Sequence, residues 1–119
     1  MITIYHNPRC SKSREALALV EAAGARLGES VEVIEYLKTP PAAATLAGIH
    51  ALTGSPVRAL LRDGETVYAE LGLADAGLSD AQLLDAVAAN PILLQRPIVV
   101  RNGRAVIARP PELALAVLD

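Results

Sequence analysis

Tyr5-His6-Asn7-Pro8-Arg9-Cys10-Ser11-Lys12-Ser13-Arg14 contains the only cysteine of the chain and lies where one periodicity gives way to another. On its amino side Ile2-Thr3-Ile4-Tyr5 alternates apolar and polar residues with β-branching, the pattern of a strand. On its carboxyl side Ala16, Leu17, Val20 and Ala23 recur at helical spacing, so a helix starts close to Ser11. Cys10 falls at the junction, facing the free amides and the positive dipole end of the helix. Arg9, Lys12 and Arg14 add positive charge nearby. Each of these favours thiolate over thiol, and the same amides and cations would hold an oxyanion against the sulfur. A lone cysteine is otherwise more often a small buried hydrophobe. The strand-loop-helix position weighs toward a nucleophile.

Working outward, the polar stretch Gly28-Glu29-Ser30 leads into Val31-Glu32-Val33-Ile34-Glu35-Tyr36-Leu37, a second strand by its alternation. A strand-helix-strand unit with a right-handed crossover makes the two strands parallel and leaves the Cys10 loop at the carboxyl end of the first. Ligands of such sheets bind at that edge. Thr39-Pro40-Pro41 stops the strand, and Pro40 or Pro41 suits the first position of a helix carrying Leu46, Ile49 and Leu52, closed by Gly54. Ser55-Pro56 opens another short helix from Val57 to Leu61, with Ser55 as its cap and Pro56 in its first turn, ending near Gly64. Arg58 and Arg62, one turn apart, are expected on one face of it. A turn of helix and a loop follow around Tyr68 to Leu73. Ser79-Asp80-Ala81-Gln82 is a capping box before the stripe Leu83, Leu84 and Val87, which Asn90-Pro91 ends.

These short helices, at about residues 40–91, exceed what a crossover needs and read as a helical insertion covering one edge of the site. Beyond them Ile98-Val99-Val100-Arg101 and Arg104-Ala105-Val106-Ile107 flank Asn102-Gly103, the strongest short hairpin signal. Pro110-Pro111 then begins a terminal helix with Leu113, Val117 and Leu118 on one stripe. The expected fold class is α/β, a mixed four-stranded sheet of two parallel strands and an antiparallel hairpin. This order resembles the three-layer, thioredoxin-like fold.

The chain has 119 residues, 52% of them hydrophobic, the size of one domain with a substantial core, and residues 1–119 are expected to form a single domain. No run reaches membrane-spanning length, and the start lacks a charged segment followed by an apolar one and a cleavage site. A cytoplasmic location is expected. A single cysteine excludes an internal disulfide or CxxC pair, so any disulfide must be with another molecule. Net charge −2, with only three tyrosines as aromatics, argues against a nucleic-acid binder. No metal site is expected, because one Cys and two separated His, His6 and His50, do not make ligand spacing. His50 has no cysteine or carboxylate partner in its helix and is expected to be structural or exposed.

Asn7-Pro8-Arg9-Cys10-Ser11-Lys12-Ser13-Arg14, together with Arg58-Ala59-Leu60-Leu61-Arg62 and Gln95-Arg96-Pro97-Ile98-Val99-Val100, resembles the glutaredoxin-linked arsenate reductases over nearly the whole chain. Three motifs in order are far more specific than any one. The likeness is greatest to the shorter branch, whose loop reads Cys-Ser-Lys-Ser-Arg rather than Cys-Gly-Thr-Ser-Arg, and the chain stops at Asp119 without the charged extension of longer members.

The resemblance implies that Arg62, Arg96 and Arg109 hold a substrate oxyanion beside Cys10, with Lys12 and Arg14 as further cations. Guanidinium forks suit a tetrahedral oxyanion because they present fixed donors and never lose charge. Arg96 stands out on its own account, between Ile92-Leu93-Leu94 and Ile98-Val99-Val100, where an unpaired charge is costly. Pro97 corresponds to the cis-proline of thioredoxin-like proteins; its cis state is implied by the likeness alone. His6 either stabilises the thiolate or packs against the strand end, and Ser13 either hydrogen-bonds the Cys10 sulfur or caps the helix.

The activity implied is arsenate reduction through a Cys10-arsenic adduct. Glutathione is the co-substrate, glutaredoxin reduces the resulting mixed disulfide, and no cofactor is bound. The expected partners are arsenate or a similar oxyanion, glutathione and glutaredoxin, with no nucleic acid or membrane, and a monomer is expected. Two alternatives are a glutathione-dependent thiol oxidoreductase acting on other substrates and a binding module of the Spx type. The latter senses oxidation through a CxxC pair, whose second position is Ser13 here.

Overall fold

The computed structural model describes residues 1–119, which divide into two compact units, one of Met1–Thr39 with Arg96–Asp119 and one of Pro40–Gln95. The first contains strand β1 (Ile2–His6), helix α1 (Ser11–Leu27) and strands β2 (Val31–Glu35), β3 (Ile98–Arg101) and β4 (Arg104–Ile107). Their order in the sheet is β2-β1-β3-β4. β1 and β2 are parallel, while β3 pairs antiparallel with both β1 and β4. This is the mixed sheet of the thioredoxin-like class.

Alternation along β1 puts Ile2 and Ile4 on one face, where they meet Ala16, Val20 and Ala23 of α1, Val99 of β3 and Ala114, Val117 and Leu118 near the carboxyl end. Ile2, Ile4, Val20 and Leu118 are wholly buried, and side chains of this size contribute about 1.5–3 kcal/mol each on burial. Gly24 lets α1 approach the start of β2: a Cβ there would stand 2.7 Å from Val31 Cγ2. The hairpin turns at Asn102 (φ 51°) and Gly103 (φ 72°), the left-handed pair that matches strand twist.

The segment Pro111–Val117 is a 310 helix. It buries Pro111, Ala114 and Val117, spaced by three, and leaves Leu113 45% exposed. The expected stripe through Leu113 is therefore corrected, since three residues per turn carry it off the buried face.

The second unit contains α2 (Ala43–Thr53), α3 (Thr66–Glu70) and α4 (Asp80–Ala89), with 310 turns at Val57–Leu60 and Pro91–Leu93. Leu46, Ile49, Leu83, Leu84 and Val87 are buried between α2 and α4. Three expectations are corrected here. Neither Pro40 nor Pro41 opens α2, whose cap is Ala42; Pro40, preceding another proline, is pushed to extended backbone. Leu52 is 39% exposed, since six residues of helix turn it well away from Leu46. The turn after Ser55 has extended Pro56 as its cap with no side-chain bond, and it ends at Leu60. Arg58 and Arg62 consequently share no helix face. No helix is long and apolar enough to cross a membrane.

Candidate active site

The register Tyr5↔Ile98 and Ile98↔Ile107 brings the carboxyl end of β1, the start of β3 and the end of β4 to one edge of the sheet. Cys10, Arg96 and Arg109 all leave from that edge.

The loop after β1 is built on Asn7. Its carbonyl accepts from the Cys10 N–H at 3.0 Å and its side-chain Oδ1 from the Arg9 N–H at 3.0 Å, an Asx-type turn. Arg14 Nη1 donates to the Pro8 carbonyl at 2.9 Å from across the loop. Ser13 Oγ accepts from the Asn7 N–H at 3.0 Å and lies 2.7 Å from His6 Nδ1. Ser13 is fully buried and His6 nearly so. One hydroxyl thus ties the end of β1, the loop and the first turn of α1 together.

Cys10 is the cap residue of α1, half-buried, with extended backbone (φ −95°, ψ 122°). Burial pushes its thiol up. The Ser13 main-chain N–H, the Arg96 charge, the Lys12 main-chain N–H and the Arg96 guanidinium outweigh it, and the thiol lies below its ordinary range. The amides are the orphan donors of a helix start.

Of the two roles expected of Ser13, the hydrogen bond to the Cys10 sulfur is present, made by the main chain. Ser13 acts on Cys10 through its amide, while its hydroxyl faces His6 and Asn7 and caps nothing. Burial holds the His6 imidazole below its ordinary value, Arg14 adds to that, and Glu35, Glu21 and Ser13 only partly oppose it, so the fold disfavours a positive charge there. Lys12 contributes its main-chain N–H, and its ammonium sits 3.7 Å from Glu15. Arg14 is a brace of the loop.

Arg96 is half-buried and Arg109 exposed, with Arg109 Nη1 3.4 Å from the Arg96 carbonyl. The Arg96–Pro97 and Arg109–Pro110 bonds are both cis. Ala108 N–H donates to the Pro97 carbonyl at 2.8 Å, which ties the segment carrying Arg109 to the one carrying Arg96.

Arg62 belongs to the second unit, where its main-chain N–H donates to Leu93 O at 2.8 Å and its Nη1 lies 2.5 Å from Glu65 Oε1. Arg58 grips Tyr68 Oη and the Leu73 and Asp75 carbonyls in the same unit. His50 Nε2 is 2.9 Å from the Ser55 carbonyl. No group of three His, Cys, Asp or Glu is placed to hold a metal ion. Asn7 is the turn-forming residue that motif reasoning did not single out; the Asn-Pro pair before Cys10 is its signal.

The geometry can host an acidic thiol nucleophile beside the Arg96 guanidinium, with Arg109 leaving the same edge of the sheet. Residues 5–117 match the model of the ArsC family. An uncharacterized protein, YfgD, of Escherichia coli K12 is 48% identical, covering 98% of this chain and 96% of that one. An arsenate reductase of Neisseria meningitidis serogroup B is 46% identical, covering 98% and 97%. The solved structure of an arsenate reductase from Vibrio cholerae superposes with a TM-score of 0.89 at 47% identity, covering 98% and 97%.

Proposed function

The chain belongs to the ArsC family, and from that membership and the acidified Cys10 we propose that it is a glutathione- and glutaredoxin-dependent arsenate reductase. The observation that carries the proposal is Cys10 at the start of α1, with two main-chain N–H groups and the Arg96 guanidinium favouring its thiolate. The thiolate attacks arsenate and displaces one oxygen as water or hydroxide, giving a Cys10-S-As(V) adduct. Arg62, Arg96 and Arg109 are assigned to the oxyanion. Their charge offsets what accumulates when a thiolate meets an anion, and fixed donors are most effective where charge develops. The Ser13 and Lys12 amides serve the sulfur throughout.

Glutathione thiolate then attacks Cys10 Sγ. The S–S bond forms as the S–As bond breaks, and its electron pair reduces arsenic to As(III). Cys10 is the only cysteine, so the mixed disulfide has no internal resolving thiol and passes to glutaredoxin.

Arsenate, glutathione, glutaredoxin and an NADPH-coupled recycling system test this directly. Arsenite formation that requires both Cys10 and glutaredoxin is the expected result, with Cys10→Ser inactive. In the same assay Arg96→Leu is expected to lower kcat about 10²–10³-fold, the scale of losing one oxyanion donor. NADPH oxidation no faster than with Cys10→Ser would sink the proposal.

A further inference from the structure

Beside the Cys10 loop, and separate from the arginines at the edge of the sheet, lies a cleft of about 280 Å³ within the first compact unit. One wall is Asn7, Pro8 and Arg9; the other is Glu35, Leu37 and Lys38, where the chain leaves β2. Both walls are held by hydrogen bonds from main-chain N–H groups. On the first, the Asn7 side chain and carbonyl fix the turn through Arg9 and Cys10. On the second, the Lys38 and Thr39 N–H groups both donate to the Glu35 carbonyl at 2.9 Å. The cleft is thus pre-formed.

We infer that this cleft is the subsite for the resolving thiol, and that the thiol is an acidic peptide of glutathione's charge pattern; the inference rests on the arsenate reductase proposal above. The lining carries two cations, Arg9 and Lys38, and one carboxylate, Glu35. Glutathione carries two carboxylates and one ammonium, the complementary set. Arg9 is exposed and is tied to Asn7 by its main-chain N–H, not by its guanidinium. Lys38 Nζ stands 3.3 Å from Glu35 Oε1, so a ligand carboxylate and ammonium can replace an ion pair already formed. Leu37, 46% exposed, offers an apolar surface to the ligand's methylenes.

The placement also suits the chemistry. Cys10 directly follows the lining residue Arg9, with Cα atoms about 3.8 Å apart, so a peptide held at Arg9 lies about one residue's length from the Cys10 backbone. The cleft is too small for a protein thiol to enter as a folded unit. The attack it would guide forms Cys10-S–S-glutathione, breaks the S–As bond, and leaves both electrons on arsenic.

Titration of ¹⁵N-labelled protein with S-methylglutathione, which cannot react, tests the site without arsenate. Saturable shifts at Arg9, Leu37 and Lys38 are expected, weakened about tenfold in Lys38→Glu, or in Arg9→Gln if that variant does not fold. In turnover, the ratio of the glutathione-supported to the 2-mercaptoethanol-supported rate is expected to fall about tenfold in the same variant, because only glutathione carries the charges to be recognised. Glutathione-dependent arsenate turnover without saturable shifts at those residues, or with an unchanged ratio, would overturn the subsite. Saturable shifts in a protein that never yields arsenite would leave the cleft standing and overturn the arsenate proposal instead.

Discussion

A half-buried thiol normally resists ionisation, so at the scale of single residues the decisive question is what reverses that at Cys10. Burial acts first and raises the thiol; two amides and Arg96 then lower it further than burial raised it. The sign follows directly. Deprotonation is favoured in the folded protein, so iodoacetamide alkylation, which reports thiolate, should reach half its plateau rate at a lower pH in the folded protein than in the urea-unfolded chain. Arg96→Met should move that midpoint upward, whereas Lys12→Met should move it little, because Lys12 acts through its main-chain N–H. Equal shifts in both variants would mean that side-chain charge at Lys12 matters after all. This division shows what the sequence could convey about the site. Cys10 at a strand-helix junction was legible because position along the chain places helix amides. Arg96 stood out by its apolar flanks, but that it rather than the Lys12 side chain acts on the thiol was not legible, because that depends on which cation the antiparallel return of β3 delivers to the loop. The roles of His6 and Ser13 were hidden for a similar reason: a 2.7 Å bond between two buried side chains is a product of packing, not of spacing.

Individual elements were legible where local chemistry decides them. α4 begins where its capping box predicts: Ser79 Oγ accepts from Gln82 N–H at 3.1 Å, and Gln82 Oε1 accepts from Ser79 N–H at 2.8 Å. Losing the cap hydroxyl leaves a helix-start donor to water, so Ser79→Ala should destabilise by about 1 kcal/mol. Urea unfolding measures this, and no change in midpoint would show that the box adds nothing beyond the burial of Leu83, Leu84 and Val87. The hairpin was legible for the same reason, since Asn102-Gly103 is a backbone preference written in two residues. Short helices were not. Over the seven residues of Pro111–Val117 a period of 3.6 and one of 3.0 select almost the same positions, and only packing distinguishes Leu113 from Ala114. At Val57–Leu60 the difference had a larger effect: reading an α-helix there put Arg58 and Arg62 on one face. The 310 turn instead leaves Arg58 gripping the loop at Leu73 and Asp75, and Arg62 beside Glu65.

For the whole molecule, a parallel unit and one antiparallel hairpin were legible, while their assembly in the order β2-β1-β3-β4 was set by packing. The ties between chain ends distant in sequence had no sequence signal at all. Arg101, on β3, is the main one. Its Nε lies 3.1 Å and 3.0 Å from the two Glu29 oxygens, and its Nη1 donates to the Val117 carbonyl at 3.1 Å. One guanidinium thus joins the turn between α1 and β2 to the carboxyl-terminal segment. Arg101 holds the Glu29 carboxyl down at about 2, well below an ordinary glutamate. A carboxylate depressed in the folded state is protonated first in the unfolded chain. The stability it contributes is therefore fully present above about pH 4.3, the ordinary glutamate value, and is lost as pH falls from there through about 2. Glu29→Gln removes that proton-linked contribution and keeps the side chain's shape. Melting temperatures of the two proteins should differ most at neutral pH and converge as pH drops toward 2. If the gap keeps a constant width across that range, what Glu29→Gln removes is independent of pH, and Glu29 is not the group whose titration couples to folding.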